Sequence, residues 1–239
     1  MKRARLLHGP AGLAPREAVE LEERILDAVQ REECGPVLRI WINGWCAVLG
    51  RNNNPDDWIN SDALDADGVP WFHRDSGGGA VIHHPCNLNY SFFVQRADLF
   101  GLSVKDAPSF FLAIVARALA HLDIAAARKG ISDLVVDGMK ISGNAARVKS
   151  RAVLHHGTIL LRAETARMSR YLPVPPNRPG VPHEGFVAGL WDLGYPAGVE
   201  RISEAMVRAS SENLGWSFAI AEAGFVGELV KRAAVAADK

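Results

Sequence analysis

The sequence predicts an α+β fold of mixed, largely antiparallel sheets with helices packed on one face. Two kinds of observation predict it. The dipeptides Asn43-Gly44 and Asp137-Gly138 each stand between short apolar runs, the local pattern of a tight β-hairpin. Apolar residues also recur at helical spacing in three well-separated stretches, 15–32, 105–122 and 199–214.

Taken in order, the first helix is predicted at 15–32. Ala18, Leu21, Ile25 and Val29 form its stripe, and Pro15 suits a first helical turn. Runs at 37–42 and 46–49 flank Asn43-Gly44 as a hairpin. A polar loop follows at 50–55, then a short helix at 56–64. A strand at 69–74 runs into Ser76-Gly77-Gly78-Gly79, with further strands at 80–83 and 87–94. After the helix at 105–122, the runs 134–136 and 139–141 form the Asp137-Gly138 hairpin. A strand at 152–161 and another helix come next. The stretch 173–182 holds five prolines and reads as an ordered loop or lid. The helix at 199–214 closes the pattern.

Composition narrows the function. The chain has 239 residues, 48% hydrophobic and 23% charged, with no formal net charge. That balance lacks the basic excess of a general nucleic-acid binder. Cys34, Cys46 and Cys86 form no CxxC pair, so neither a disulfide framework nor a zinc pattern is present, and a cytoplasmic setting is expected. No apolar run approaches the ~20 residues of a membrane span, and the start has no signal-peptide pattern. The length fits one large domain or two small ones.

Two segments carry chemistry. In His73-Arg74-Asp75-Ser76-Gly77-Gly78-Gly79-Ala80-Val81, three glycines let the backbone approach a ligand closely with its N–H groups free. Arg74 could meet a phosphate or carboxylate through two parallel hydrogen bonds. The same run also reads as a plain bulged turn. No Gly-Lys-Ser/Thr follows, so it is not a Walker loop. In Lys140-Ile141-Ser142-Gly143-Asn144-Ala145, a lysine leaves a tight turn on rigid strands, where its ammonium could stabilise developing negative charge. On its own the motif also reads as an ordinary exposed strand lysine. His155-His156 alternate across a strand and cannot readily share one metal. One is expected to be buried and hydrogen-bonded, the other to face the site.

Together these stretches are similar to a known family. Arg74 to His83, followed by Asn87-Leu88-Asn89-Tyr90-Ser91, resembles the glycine-loop signature of lipoate–protein ligases of the A type. Lys140 to Ala145 resembles the family's lysine motif, His155-His156-Gly157-Thr158-Ile159-Leu160-Leu161 its following strand, and Trp41 to Arg51 its early strand pair. The resemblance implies a biotin/lipoate-ligase-type, class II synthetase-like fold, a single catalytic domain over 1–239 with no C-terminal accessory domain, and ATP-dependent activation of lipoate or octanoate as an acyl-AMP. The acyl group then passes to a lysine of a carrier domain. By resemblance Lys140 is catalytic. The binding residues are Arg74, Ser76, Gly77, Gly78, Gly79, Ala80, Val81, Ile82 and His83, then Asn87, Asp133, Ser142, Gly143, His156, Gly157 and Thr158. Asp133 either orients Lys140 or carries Mg2+. Residues near Val81 and Leu88 could wall an acyl slot or be plain core. The implied partners are lipoyl domains of 2-oxoacid dehydrogenase acyltransferase subunits, the glycine-cleavage H protein or a dedicated lipoate-binding protein, with a separate accessory subunit as a further partner.

The sequence also departs from the family. His73 stands where a second arginine is common, and His84-Pro85-Cys86 stand where an acidic residue, a variable one and glycine are common. His183 to Val187 resembles the family's later arginine-containing stretch only loosely. Cys86 therefore admits a rival, an octanoyl transferase of the same fold working through a cysteine thioester. Two more rivals are a biotin ligase, whose loop usually carries more arginines, and a non-catalytic acyl-carrier-binding module that keeps the fold.

Overall fold

A computed structural model describes residues 1–9, 12–99, 101–103, 105–173, 180–222 and 224–229. Its elements run β1 (Lys2–His8), α1 (Pro15–Gln30), β2 (Val37–Ile42), β3 (Cys46–Leu49), α2 (Pro55–Trp58), α3 (Ser61–Ala66), β4 (Trp71–His73), β5 (Val81–His83) and β6 (Asn87–Gln95). Then follow α4 (Ala107–Ala120), β7 (Ala127–Lys129), β8 (Asp133–Val136), β9 (Met139–Val148), β10 (Ala152–Leu160), α5 (Thr165–Tyr171), α6 (Val199–Leu214) and β11 (Trp216–Ile220). Most of the expected loop at 173–182 lies outside the described residues.

Two sheets organise these elements. Eight strands stand in the order β11-β1-β2-β6-β10-β9-β8-β7, and three in the order β4-β3-β5. The pairs β2–β6, β6–β10, β10–β9 and β9–β8 are antiparallel, whereas β1 runs parallel to both β2 and β11.

Helices cover both faces of the large sheet, not one as expected. Leu88, Tyr90, Phe92 and Val94 of β6 belong to the core beneath α4 and α6, while Phe93 packs with Leu154 and α1 on the other side. A central strand buried on both faces loses the clean alternation that marks a one-sided sheet. Each fully buried Phe or Leu there contributes about 1.5–3 kcal/mol of transfer free energy.

The Asp137-Gly138 turn forms as the sequence predicts. Both residues have positive φ, 51° and 80°, and Val136 pairs with Met139 across it. Asn43-Gly44 does not make a hairpin. Neither residue has positive φ, and β2 and β3 belong to different sheets. Asn43 instead turns the chain between sheets. Its Oδ1 accepts from the Gly44 amide at 3.0 Å and its Nδ2 donates to Pro15 O at 3.2 Å. The predicted helix at 56–64 is two short helices, because the Asn60 side chain accepts from Ala63 N and starts α3 anew.

Candidate active site

The floor of the site can be read from strand register. Asp133 on β8 pairs with Gly143 on β9, Thr158 on β10 with Asn89 on β6, and Asn89 with Trp41 on β2. The Gly143 amide approaches Thr158 Oγ1 at 3.4 Å and joins the two halves of this row. A second row runs Ala145–His156–Ser91–Arg39. Crossing four strand spacings, the first row is about 19 Å long. A cavity of about 450 Å³ lies along it, lined at one end by Asp133 and Lys140 and at the other by Trp41 and His83. A second cavity, of about 230 Å³, meets the first at Lys140, Gly143 and Thr158.

The glycine loop forms one wall. Gly78 has φ of +89°, a conformation that favours glycine. At Gly79 an added Cβ would lie 2.6 Å from the Trp58 ring, so only glycine lets that ring close over the loop. Arg74 is buried beneath. Its Nε donates to Ser76 Oγ (2.9 Å), Nη1 to Val48 O (3.1 Å), and Nη2 to Gly77 O (2.6 Å) and Gly79 O (2.9 Å). Only one Nη1 hydrogen remains, so the expected two-pronged grip on an anion does not form; Arg74 braces the loop instead. The amides of Gly78 and Ala80, by contrast, donate to no group among the described residues.

Lys140 is held from two sides. Its amide donates to Phe186 O at 2.7 Å, and its Nζ stands 2.8 Å from Asp133 Oδ1. A Cβ on Gly143 would lie 3.4 Å from the Lys140 Nζ, so a bare backbone keeps room around the ammonium. Gly157 is bare for a different reason. Tyr90, directly across from it on the neighbouring strand and on the same face, donates from its hydroxyl to Asn144 Oδ1 through the space a Cβ would fill. Asn144 Nδ2 then donates to Ser132 O (2.9 Å) and Ser142 Oγ (3.0 Å).

His156 faces the site and His155 the core. His156 Nδ1 lies 2.7 Å from Glu22 Oε2, and its Nε2 lies 2.6 Å from Ser76 Oγ. Burial pushes the Glu22 carboxyl up, but the adjacent His156, with Arg39 and a hydrogen bond from Ser91, outweighs it and brings the group down to about 2. Arg39, fully buried, donates to Gly9 O and Ala18 O and stacks over Trp41. The expected hydrogen-bonded buried histidine is not His155: both of its ring nitrogens lack partners among the described residues, and it stacks on Phe111 at 5.2 Å. Burial lowers His155 and His83 from 6.5 to about 3, so both are neutral.

Most of the predicted residues converge. Arg74, Gly78, Gly79, Ala80, Val81, His83, Asp133, Lys140, Gly143, His156, Gly157 and Thr158 line the larger cavity, and Ile82, Asn87 and Ser142 the smaller. Ser76 and Gly77 line neither; Ser76 is a buried link between Arg74 and His156. Leu88 is no acyl wall, since it points into the core under α4. Cys86 lines neither cavity and packs against that same core, while burial pushes the Cys46 thiol up to about 12. Sequence reasoning missed Glu22, Trp58, Tyr90 and Asn144. Glu22 had a signal: it lies four residues after Ala18 and three before Ile25, a carboxylate on an apolar stripe.

Among the described residues no cluster of three or more His, Cys, Asp or Glu could hold a metal ion. No helix among them is long and apolar enough to cross a membrane.

Residues 14–209 match the family profile of the lipoyl protein ligase A/B catalytic domain. The lipoate-protein ligase A of Psychrobacter cryohalolentis is 33% identical over 181 residues, covering 73% of this chain and 51% of that protein. Relatives from Aeropyrum pernix and Mycoplasma genitalium are matched over 58% and 45% of their own lengths, so the chain spans about half the length of the curated relatives it matches. A bi-partite lipoate protein ligase of Thermoplasma acidophilum, described with its E2 lipoyl domain, shares the fold with a TM-score of 0.81 at 20% identity, over 97% of this chain and 92% of that one. A lipoate-protein ligase A bound with ATP shares it with a TM-score of 0.81 at 21% identity, over 97% and 93%.

Proposed function

The chain belongs to the lipoyl protein ligase A/B catalytic-domain family, and from that premise we propose that it activates lipoate or octanoate with ATP and passes the acyl group to a lysine of a lipoyl carrier domain. The observation that carries this reading is the junction of two cavities at Lys140. A reaction joining a carboxylic acid to a nucleotide needs two slots meeting at one cation.

The larger cavity suits the acid. It runs across the sheet between Trp41, Val48 and Val81 towards the lysine. The smaller suits the adenine ring. Trp58, Met168 and Phe186 supply flat or apolar walls. The free amides of Gly78 and Ala80 face no competitor for a phosphate oxygen.

In the first step an acid oxygen attacks the α-phosphorus, the bond to the bridging oxygen breaks, and pyrophosphate leaves with the electron pair. Lys140 stabilises charge on both the carboxylate and the phosphoryl oxygens, and Asp133 keeps its ammonium oriented. In the second step the carrier amine attacks the acyl carbon, losing a proton as AMP departs. Asp133 also has the chemistry to hold Mg2+ together with nucleotide phosphates and water, in the one-carboxylate manner usual for that ion. Bound there, the ion would neutralise phosphate charge.

A thioester route through Cys86 draws no support from its position against the core. The test is pyrophosphate release from ATP, which should require lipoate or octanoate. Release that ignores the acid, or none with either acid, would overturn the reading.

A further inference from the structure

We propose that Glu22 is a positioning residue: acting through His156 and Ser76, it holds Arg74 and hence the glycine loop in its anion-binding shape. The proposal rests on the ligase reading only for what the loop binds.

Glu22 occupies the apolar stripe of α1 and is 5% exposed. For stability alone an apolar residue would serve at least as well, because a buried carboxylate carries a desolvation cost that its partners only offset. What a carboxylate adds is direction. Glu22 accepts from Ser91 Oγ on β6 and from His156 Nδ1 on β10, with the Arg39 guanidinium of β2 alongside. Held by Glu22 through Nδ1, the His156 ring presents Nε2 to the Ser76 hydroxyl at 2.6 Å. The Ser76 oxygen is then oriented to accept from Arg74 Nε. Arg74 Nη2 in turn clamps the carbonyls of Gly77 and Gly79, on either side of Gly78 at φ +89°.

The last link converts a clamp into a binding surface. The C=O and N–H of a trans peptide point in opposite directions. With the Gly77 and Gly79 carbonyls turned towards Arg74, the amides of Gly78 and Ala80 are turned away from it, and both residues line the larger cavity. Without the chain from Glu22, Arg74 could rotate and either peptide could flip, removing a donor. Glu22 also lines that cavity at its own end, so one carboxylate joins helix, floor and loop.

The test uses Glu22→Gln, Ser76→Ala and the double variant of the full chain. Each single change should lower kcat/KM for acid-dependent pyrophosphate release about tenfold, the size of one charge-assisted hydrogen bond. The double variant should be no worse than the poorer single one, because both cut the same chain. Two independent losses that multiply, or a folded Glu22→Gln with the wild-type rate, would overturn the proposal. Acrylamide quenching of Trp58, whose ring closes on Gly79, supplies a readout without substrate, taken as the difference from Trp58→Phe. It should rise at least twofold in Glu22→Gln and in Ser76→Ala; unchanged quenching would also overturn the proposal. If the wild type releases no pyrophosphate, the ligase reading fails while the quenching still decides the role of Glu22. If Glu22→Gln does not fold, Ser76→Ala and His156→Gln decide it by the same quenching.

Discussion

Replacing Gly157 by alanine should destabilise the protein strongly although the new atom is a single methyl. Its Cβ would lie 1.9 Å from Asn144 Oδ1, 2.6 Å from Asn144 Cγ and 2.7 Å from the Tyr90 hydroxyl. Asn144 has no short retreat, since its Nδ2 is tied to both Ser132 O and Ser142 Oγ. Displacing it removes hydrogen bonds worth about 1 kcal/mol each and strands the buried Tyr90 hydroxyl at a further cost of about 1–3 kcal/mol. A total of roughly 4 kcal/mol should lower Tm by about 8–16 °C in a chain of this size. Gly77→Ala is the internal control. It lies in the other signature run, its φ is not positive, and an added Cβ meets nothing within 4 Å. Scanning calorimetry of both variants decides the matter. Equal stability of Gly157→Ala and wild type would refute the Tyr90–Asn144 packing argument, and so would a comparable loss in Gly77→Ala.

Two further outcomes follow from the same geometry. His155 and His83 are held neutral, from 6.5 down to about 3, so as pH falls below 6.5 the unfolded chain takes protons that the folded one refuses. Stability should therefore fall with acidity through that window, by about 1.4 kcal/mol per pH unit for each histidine. His155→Phe, packed against Phe111, should remove its share of that slope without loss at pH 8; urea titrations at pH 8, 6 and 5 that show an unaltered slope would contradict this. Cys86→Ser should keep ATP-dependent acyl transfer within about twofold of wild type, because Cys86 lines neither cavity. Loss of turnover with retained fold would revive the thioester route.

The parts of this fold legible in the sequence are those specified locally. Asp137-Gly138 needs two positive φ angles and carries residues that tolerate them, so its hairpin is where it was expected. α6 spans the predicted 199–214 because its stripe is regular and Gly215 ends it in the left-handed region. Asn43-Gly44 shows the limit of such signals. The same dipeptide chemistry serves a crossover between sheets when the Asn43 amide finds Pro15 instead of a hairpin partner. β1 and β11 were invisible for another reason: Lys2 pairs with Trp216, and no local pattern marks a strand whose partner is that distant in sequence.

The site divides in the same way. The glycine loop and Lys140 stood out as short runs, and the structure brings them to one cavity. Arg74 was legible as important but not in how it acts, because its engagement with Gly77 and Gly79 carbonyls depends on a loop shape that sequence does not show. Glu22 escaped notice because an acidic residue inside a helix ordinarily reads as solvated surface, and only its place on the stripe argues otherwise.

The central claim is that Lys140 sits where acid and nucleotide meet. It is tested most directly by the mass of a lipoyl carrier domain incubated with the protein, ATP and lipoate or octanoate, beside a Lys140→Ala control. The carrier should gain one acyl group with the wild-type protein and none with the variant. A gain that survives the Lys140 change would contradict the claim.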